Sequence, residues 1–506
     1  MPKRNAWTLA AVLALHWPTA AHGQTLADLL PRLLSEAVTM PSTTGVVPVV
    51  PGNPHEAHFL PAAAQLQAPY ALNGAVVSQL ATFPIGSSSG GFTYTSDERT
   101  GTPRRSSGNF GPAFAERALT NGKGKLNVGM NYQHVKYDKF EGLGLGGDVR
   151  FYLQHNDCCQ FPTPPLGQNQ SPGGTPRPDA EIAPSQDVNP FFEGDLVKTT
   201  LSLDVRTDTA AFFANYGVTD RFDFGVVVPF VSVKLDATMN SQIIRLATDN
   251  NHAIHSFGGA NPDTKVSSES GSASGVGDIL LRGKLRVLFS PGGGLALGAD
   301  VRLPTGDKDN LLGTGATQAK ASLIYSADFG RVSPHMNVGY TYSSGSVSPG
   351  VATYRLGDET PTPLPTAPNA YDTVFRGNTP NTPVTGVNLD IPDEINYTAG
   401  LAVSASPRLS LSATLVSRTL RNVTRFAVGD KSFSYRTTNG GGLQTQSFND
   451  GLVSSTSGNL TLLLGVAGFK LNVGKTLLLN GNVLFPLNSD GLRPKTTAVV
   501  GFDYVF

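Results

Sequence analysis

From residue 222 to its last residue the chain repeats short segments in which apolar and polar side chains alternate with a period of two. Phe222, Phe224, Val226, Val228 and Phe230 alternate with Arg221, Asp223 and Gly225, and Leu295, Leu297, Ala299, Val301 and Leu303 with Asp300 and Arg302. Similar runs hold Ile279 to Val287, Leu323 to Ala327, Met336 to Tyr342, Ile395 to Val403, Leu477 to Phe485 and Thr496 to Phe506. In a β-strand this period places one greasy and one polar face on opposite sides. Each run has roughly the length that a tilted transmembrane strand needs. Outside the N-terminus no stretch approaches the ~18 consecutive apolar residues of a membrane-spanning helix. A membrane crossing by this chain is therefore a crossing by strands. Charged residues make up only 15% of the chain, and 38 Lys+Arg balance 38 Asp+Glu without a basic block. No field is present to attract nucleic acid, which is excluded as a partner.

The connections alternate as regularly as the runs. Short turns at 218–220, 290–293, 329–332, 406–408 and 473–475 are separated by longer polar segments near 156–194, 235–274, 304–313, 343–393, 420–457 and 488–493. Short turns on one side and long loops on the other are the asymmetry of a bacterial outer-membrane barrel, with the long loops outside. The expected fold is all-β: a closed antiparallel transmembrane β-barrel over 90–506, monomeric or trimeric. Strands at 146–157, 124–138 and 90–97 bring the count to about 14, or 12 if the first hairpin folds inward. Residues 199–217 and 458–473 change phase partway, as a bulge would make them do. Pro229, Pro304 and Pro486 each follow a short turn by about ten residues, which at ~3.3 Å per residue places them near the outer rim, where a missing N–H is tolerated.

Met1 to Gly23 reads as a secretory signal, with Lys3 and Arg4, an apolar run from Ala6 to Trp17, and Ala21-His22-Gly23 as the cleavage site. Residues 24–89 do not alternate. Leu26 to Leu34 suits a short amphipathic helix before a Pro-rich stretch, and the segment is either a periplasmic tail or a plug, its composition favouring the tail. Cys158 and Cys159, the only cysteines, are adjacent. Two cysteines make no disulfide scaffold, and without CxxC or clustered His they make no zinc site; a vicinal disulfide and free thiols both stay open.

Several motifs fail on context. Gly86 to Gly90 has the G-x-S-x-G spacing without the strand and helix that a nucleophile elbow needs. Gly142 to Gly147 fits G-x-G-x-x-G but leads into a strand, so it is a strand connection. Gly474-Lys475-Thr476 lacks the first glycine of a phosphate loop, position 469 being Phe. Asp307 and Asp309 form a turn with too few oxygen ligands for calcium. No catalytic residue, metal or cofactor is indicated. What remains is the polar parity: Asp223, Asp278, Arg282, Lys284, Arg286, Asp300, Arg302, Lys320 and His335 face the lumen, as candidates for binding or selectivity. A charge at the bilayer midplane would cost roughly 2 to 4 kcal/mol, so this orientation is required whether the charges select anions or brace the wall as ion pairs. Phe502, Tyr504 and Phe506 close the chain on an aromatic face, a C-terminal signal for the outer-membrane assembly machinery and a fit to the lipid interface.

The stretch Asn215 to Phe230, reading NYGVTDRFDFGVVVPF, resembles the signature of the outer-membrane family named after a meta-cleavage pathway of phenol degradation. Gly275 to Ile279, Arg302 to Asp307 and Asn337 to Tyr340 resemble it too, and together the likeness spans roughly residues 195–506. The resemblance implies a transporter-like barrel, compared with long-chain fatty-acid and hydrocarbon channels, that passively admits small hydrophobic or aromatic compounds. The alternative is a structural barrel whose outer loops engage a partner. An integral lipase would need a Ser or Thr beside a rim His, and no such pairing is evident.

Overall fold

The computed structural model describes residues 25–40, 86, 91–96, 102–154, 195–245, 255–290, 293–347, 389–437, 444–474 and 476–506. The leader, both cysteines and most of the long loops lie outside these residues. Twelve strands form a closed antiparallel ring: β1 Leu126–Phe140, β2 Leu196–Gly217, β3 Phe222–Ile244, β4 Leu280–Ser290, β5 Gly293–Arg302, β6 Thr317–Ser326, β7 Val332–Ser344, β8 Glu394–Ser406, β9 Leu409–Thr437, β10 Gln444–Asn472, β11 Leu477–Pro486 and β12 Thr497–Val505. The ring closes where β1 pairs with β12 on one edge and with β2 on the other. Each of the five short connections joins two of these strands at the same end, the periplasmic one.

The ring has the smaller of the two expected strand counts. Tyr94–Ser96 pairs only with Pro103–Arg105, in a two-stranded sheet apart from the wall. The strand Gly146–Gln154 is present, but it does not cross the membrane beside β1. It pairs with residues 196–202 of β2, whereas β1 pairs with residues 205–216. The two segments therefore lie end to end along one edge of β2. The Gly142 turn that joins them has φ of 83° and leads into a strand, not a helix. On the far edge of β3 the same device recurs, with β4 against residues 222–227 and a strand Thr264–Val276 against residues 230–242. Pro229 falls where one partner gives way to the other, so its missing N–H interrupts no ladder on that edge.

β2 and β3 show what separates membrane from water. Their pairing runs without a register shift from Leu196↔Ile244 to Gly217↔Asp223, so the phase change near residue 208 is no bulge. What inverts is polarity. Toward the periplasm the outward side chains are Ala210, Phe212, Ala214 and Tyr216 on β2 and Phe222 to Phe230 on β3; Phe212 and Phe230 are about half exposed, while inward Asp223 is 4% exposed. Beyond the Asp208↔Ser232 pair the outward residues are Lys198 to Arg206 and Lys234 to Gln242, and the inward ones Val197, Leu201, Leu203, Val205, Val233, Leu235 and Met239, all buried. The eight steps from Phe222 to Phe230, at ~3.3 Å and a tilt of ~40°, span roughly 20 Å, close to the apolar band of an outer-membrane barrel. β10 behaves likewise: inward Leu460, Leu462 and Val466 give way to Lys470 without a shift against β11.

Candidate functional site

The lumen holds the N-terminal part of the chain, in two places. A 3-10 turn Leu26–Asp28 runs into an α-helix, α1, at Leu29–Val38. Leu26, Leu29, Leu30, Leu33, Leu34 and Ala37 recur at helical spacing and are all buried among the inward apolar residues of the extracellular half. Leu311 and Leu312 of the 303–316 loop, Phe140 and Leu492 also belong to this cluster. Polar contacts hold the other side of the helix: Arg32 reaches Glu269 at 3.0 Å, and Lys265 donates to the carbonyls of Glu36 and Thr39. Burial lowers the Lys265 ammonium from its ordinary pKa.

The periplasmic half is occupied by residues 91–96 and 102–121, mostly without regular structure. Here the polar inner faces of the strands satisfy the backbone of a coil, as buried amides require. Asp223 accepts from the Asn121 N–H at 2.9 and 3.1 Å, Ser326 from Ala118 at 3.0 Å and Ser410 from Phe110 at 3.1 Å. Asn337 accepts from the Glu116 N–H at 2.8 Å and donates to its carbonyl at 2.9 Å. Asn109 donates to Ser333, and the fully buried Arg117 donates to the carbonyls of Asn109 and Gly91 at 3.3 Å. Phe92 and Phe110 meet edge to face, 5.5 Å between centroids, against Leu478 and Val505.

Between the two fillings lie adjoining cavities of about 120 and 70 Å³. Five cations, Arg282, Lys284, Arg302, Lys320 and Arg418, line them from the wall, together with three carboxylates, Asp223, Asp300 and Glu394. From the coil, Phe114 borders both and Glu116 the smaller. The Glu116 carboxylate lies 3.6 Å from Arg282 and 3.7 Å from Lys284. Within the wall, Arg282 is 3.5 Å from Asp300, Lys284 is 3.8 Å from Asp223, and Arg418 pairs with Glu394.

Of the nine lumen candidates, six converge here: Asp223, Arg282, Lys284, Asp300, Arg302 and Lys320. Three do not. Asp278 sits at the break between Thr264–Val276 and β4 and clamps the 303–316 loop, accepting from Gly306 N at 3.0 Å and from Thr314 N and Oγ1, both at 2.8 Å. Arg286 lies at the periplasmic turn, donating to the Ser290 and Gly293 carbonyls and stacked 4.2 Å from the Phe289 ring centroid. His335 is buried in the wall with no hydrogen-bond partner for its ring nitrogens among the described residues. Phe502, Tyr504 and Phe506 face outward, the last two edge to face at 4.6 Å. Asp307 receives the N–H groups of Asp309 and Asn310, an ordinary turn, and no cluster of metal-ligating side chains occurs among the described residues. The sequence reading missed Glu394 and Arg418, although Glu394 shares the inward parity of Asn396 and Thr398. It also missed Phe114 and Glu116, which have no periodicity to reveal them.

A family model described as "Putative MetA-pathway of phenol degradation" matches residues 193–361, which take in β2 to β7 and the NYGVTDRFDF stretch. No curated protein matches the chain. Among solved structures, an outer-membrane channel from Pseudomonas putida F1 is similar at 12% identity and a TM-score of 0.34, covering 76% of this chain and 96% of its own. The toluene transporter TbuX of Ralstonia pickettii follows at 10% and 0.31, and a FadL homologue of Pseudomonas aeruginosa at 10% and 0.28; each covers 76% of this chain and 90% of its own.

Proposed function

We propose that this chain, with its match over residues 193–361 to the phenol-degradation family and its lipid-facing ring of twelve strands, is an outer-membrane channel that passively admits small hydrophobic or aromatic compounds. The observation that carries the reading is the inversion of the inner face. Above the membrane band the wall offers Val197, Leu201, Leu203, Val233, Leu235 and Met239 to the interior, a greasy bowl at the extracellular end. A hydrophobic solute entering from outside sheds its hydration there, gaining about 25 cal/mol for each Å² of apolar surface removed from water. α1 fills the bowl through apolar contacts of the same kind, so solute and helix compete for one surface. In this reading displacement of the helix opens the way, and the chain performs no chemistry and needs no cofactor. Surrounding lipid and the assembly machinery that reads Phe502, Tyr504 and Phe506 are its other partners.

The test is flux. Vesicles with a lipopolysaccharide outer leaflet, the polar barrier that slows hydrophobic solutes, should take up a labelled aromatic such as toluene faster when they carry the mature chain, and a deletion strain should lose uptake at low external concentration. Equal uptake with and without the protein would refute the reading. A second reading, a structural barrel without flux, is favoured by one observation: both halves of the lumen are occupied. It predicts no conductance even after α1 is unseated by Leu33→Asp, whereas the channel reading predicts that conductance rises.

A further inference from the structure

The charged cavity between the two fillings has a use that a purely hydrophobic passage does not need. Its wall contributes five cations against three carboxylates, an excess of two positive charges, and Glu116 from the lumen coil offsets one of them. The carboxylate lies 3.6 Å from Arg282 and 3.7 Å from Lys284, while the backbone of the same residue is anchored on Asn337 at 2.8 and 2.9 Å. Two residues earlier, the Phe114 ring borders both cavities. A phenyl ring and a carboxylate thus stand side by side on one segment, against a wall whose net charge is positive.

We propose that this wall is a binding site for small aromatic carboxylates, with Glu116 as its built-in occupant and Phe114 as the companion ring. An incoming benzoate-like anion takes the place of the Glu116 carboxylate on Arg282 and Lys284, while residue 116 stays held through its backbone bonds to Asn337. The proposal narrows the solute class of the channel reading and rests on it for its meaning in the cell, but binding can be measured without flux. No bond is made or broken; one carboxylate exchanges for another on the same two cations.

The experiment is a fluorine NMR titration of 4-fluorobenzoate, with 4-fluorobenzamide as the uncharged probe, into the detergent-solubilised mature barrel. Flux of both probes from proteoliposomes is measured in parallel, and folding of each variant is checked by its heat-modifiable migration. Removing the competing charge with Glu116→Gln should tighten 4-fluorobenzoate about fivefold, the scale of one partly solvated ion pair. Arg282→Gln combined with Lys284→Gln should weaken it by about tenfold or more, and the benzamide should change by less than about twofold throughout. Glu116→Asp, which withdraws the carboxylate by one methylene, should fall between wild type and Gln and stands in if the Gln variant fails to fold. Equal fluorobenzoate affinity in all variants, or benzamide affinity that moves in step with it, overturns the proposal. Benzamide flux with charge-indifferent binding would leave the channel standing and remove this site; charge-dependent binding without flux of either probe would do the reverse.

Discussion

Placing an arginine at Val226 tests the outward orientation of the apolar parity directly. Val226 is the middle of the five outward residues Phe222, Phe224, Val226, Val228 and Phe230, so it lies about halfway through a band of roughly 20 Å. There an arginine should cost about 2 to 4 kcal/mol. The same substitution at exposed Asn240, fourteen residues further along the same face of β3, lies about 35 Å away along the barrel axis, at ~3.3 Å per residue and ~40° tilt. At that point the face looks into water, and the cost should stay within about 0.5 kcal/mol. Phe230→Arg, at the border, should lose mainly the packing of its ring. Reversible guanidinium unfolding in lipid vesicles, followed by gel mobility of the folded band, would give all three values. Equal costs at 226 and 240, or a larger one at 240, would show that no lipid boundary lies between them and would dismantle the reading of the fold.

Three further outcomes follow from other contacts. Leu33→Ala removes a fully buried side chain from the helix seat and should weaken its docking by about 2 to 5 kcal/mol, seen as faster hydrogen exchange in residues 29–38. Asp278→Ala strips the acceptor from Gly306 N and from both donors of Thr314; a loss of roughly 2 to 4 kcal/mol, with new protease cleavage in the 303–316 loop, is expected, and an intact loop would count against the clamp. Arg32→Ala breaks a partly exposed ion pair to Glu269 and should cost under about 1 kcal/mol, so conductance traces should match the wild type.

The wall was legible because lipid outside and a polar interior impose a period of two across the membrane band, which puts Asp223, Lys284 and Asp300 on the face opposite Phe224, Leu285 and Leu297. The strand count was harder for a physical reason. Gly146–Gln154 has the local pattern of a wall strand, yet alternation cannot show that it continues β1 along the edge of β2. The change of phase at 199–217 misled in the same way, since a bulge and a passage from lipid into water leave the same trace in one strand. Only the unshifted pairing with β3 separates them. Of the lumen contents, a helix at Leu26 to Leu34 was legible from its spacing, although composition favoured a periplasmic tail over a plug; the coil was not legible. Glu116, Asn109 and Arg117 lie in a coil whose hydrogen-bond partners, such as Ser333 and Asn337, are more than two hundred residues away in the chain.

The positions of the two fillings bear on how such a molecule is made. α1 lies at the far mouth, while residues 91–96 and 102–121 and the start of β1 lie at the near one, with cavities of only about 120 and 70 Å³ between them. A helix some 10 Å wide does not thread that gap once the hoop is complete. The last seam, β1 to β12, is therefore expected to be sewn around cargo already aboard. A variant that closes empty should then stay empty when the missing segment is supplied later as a peptide.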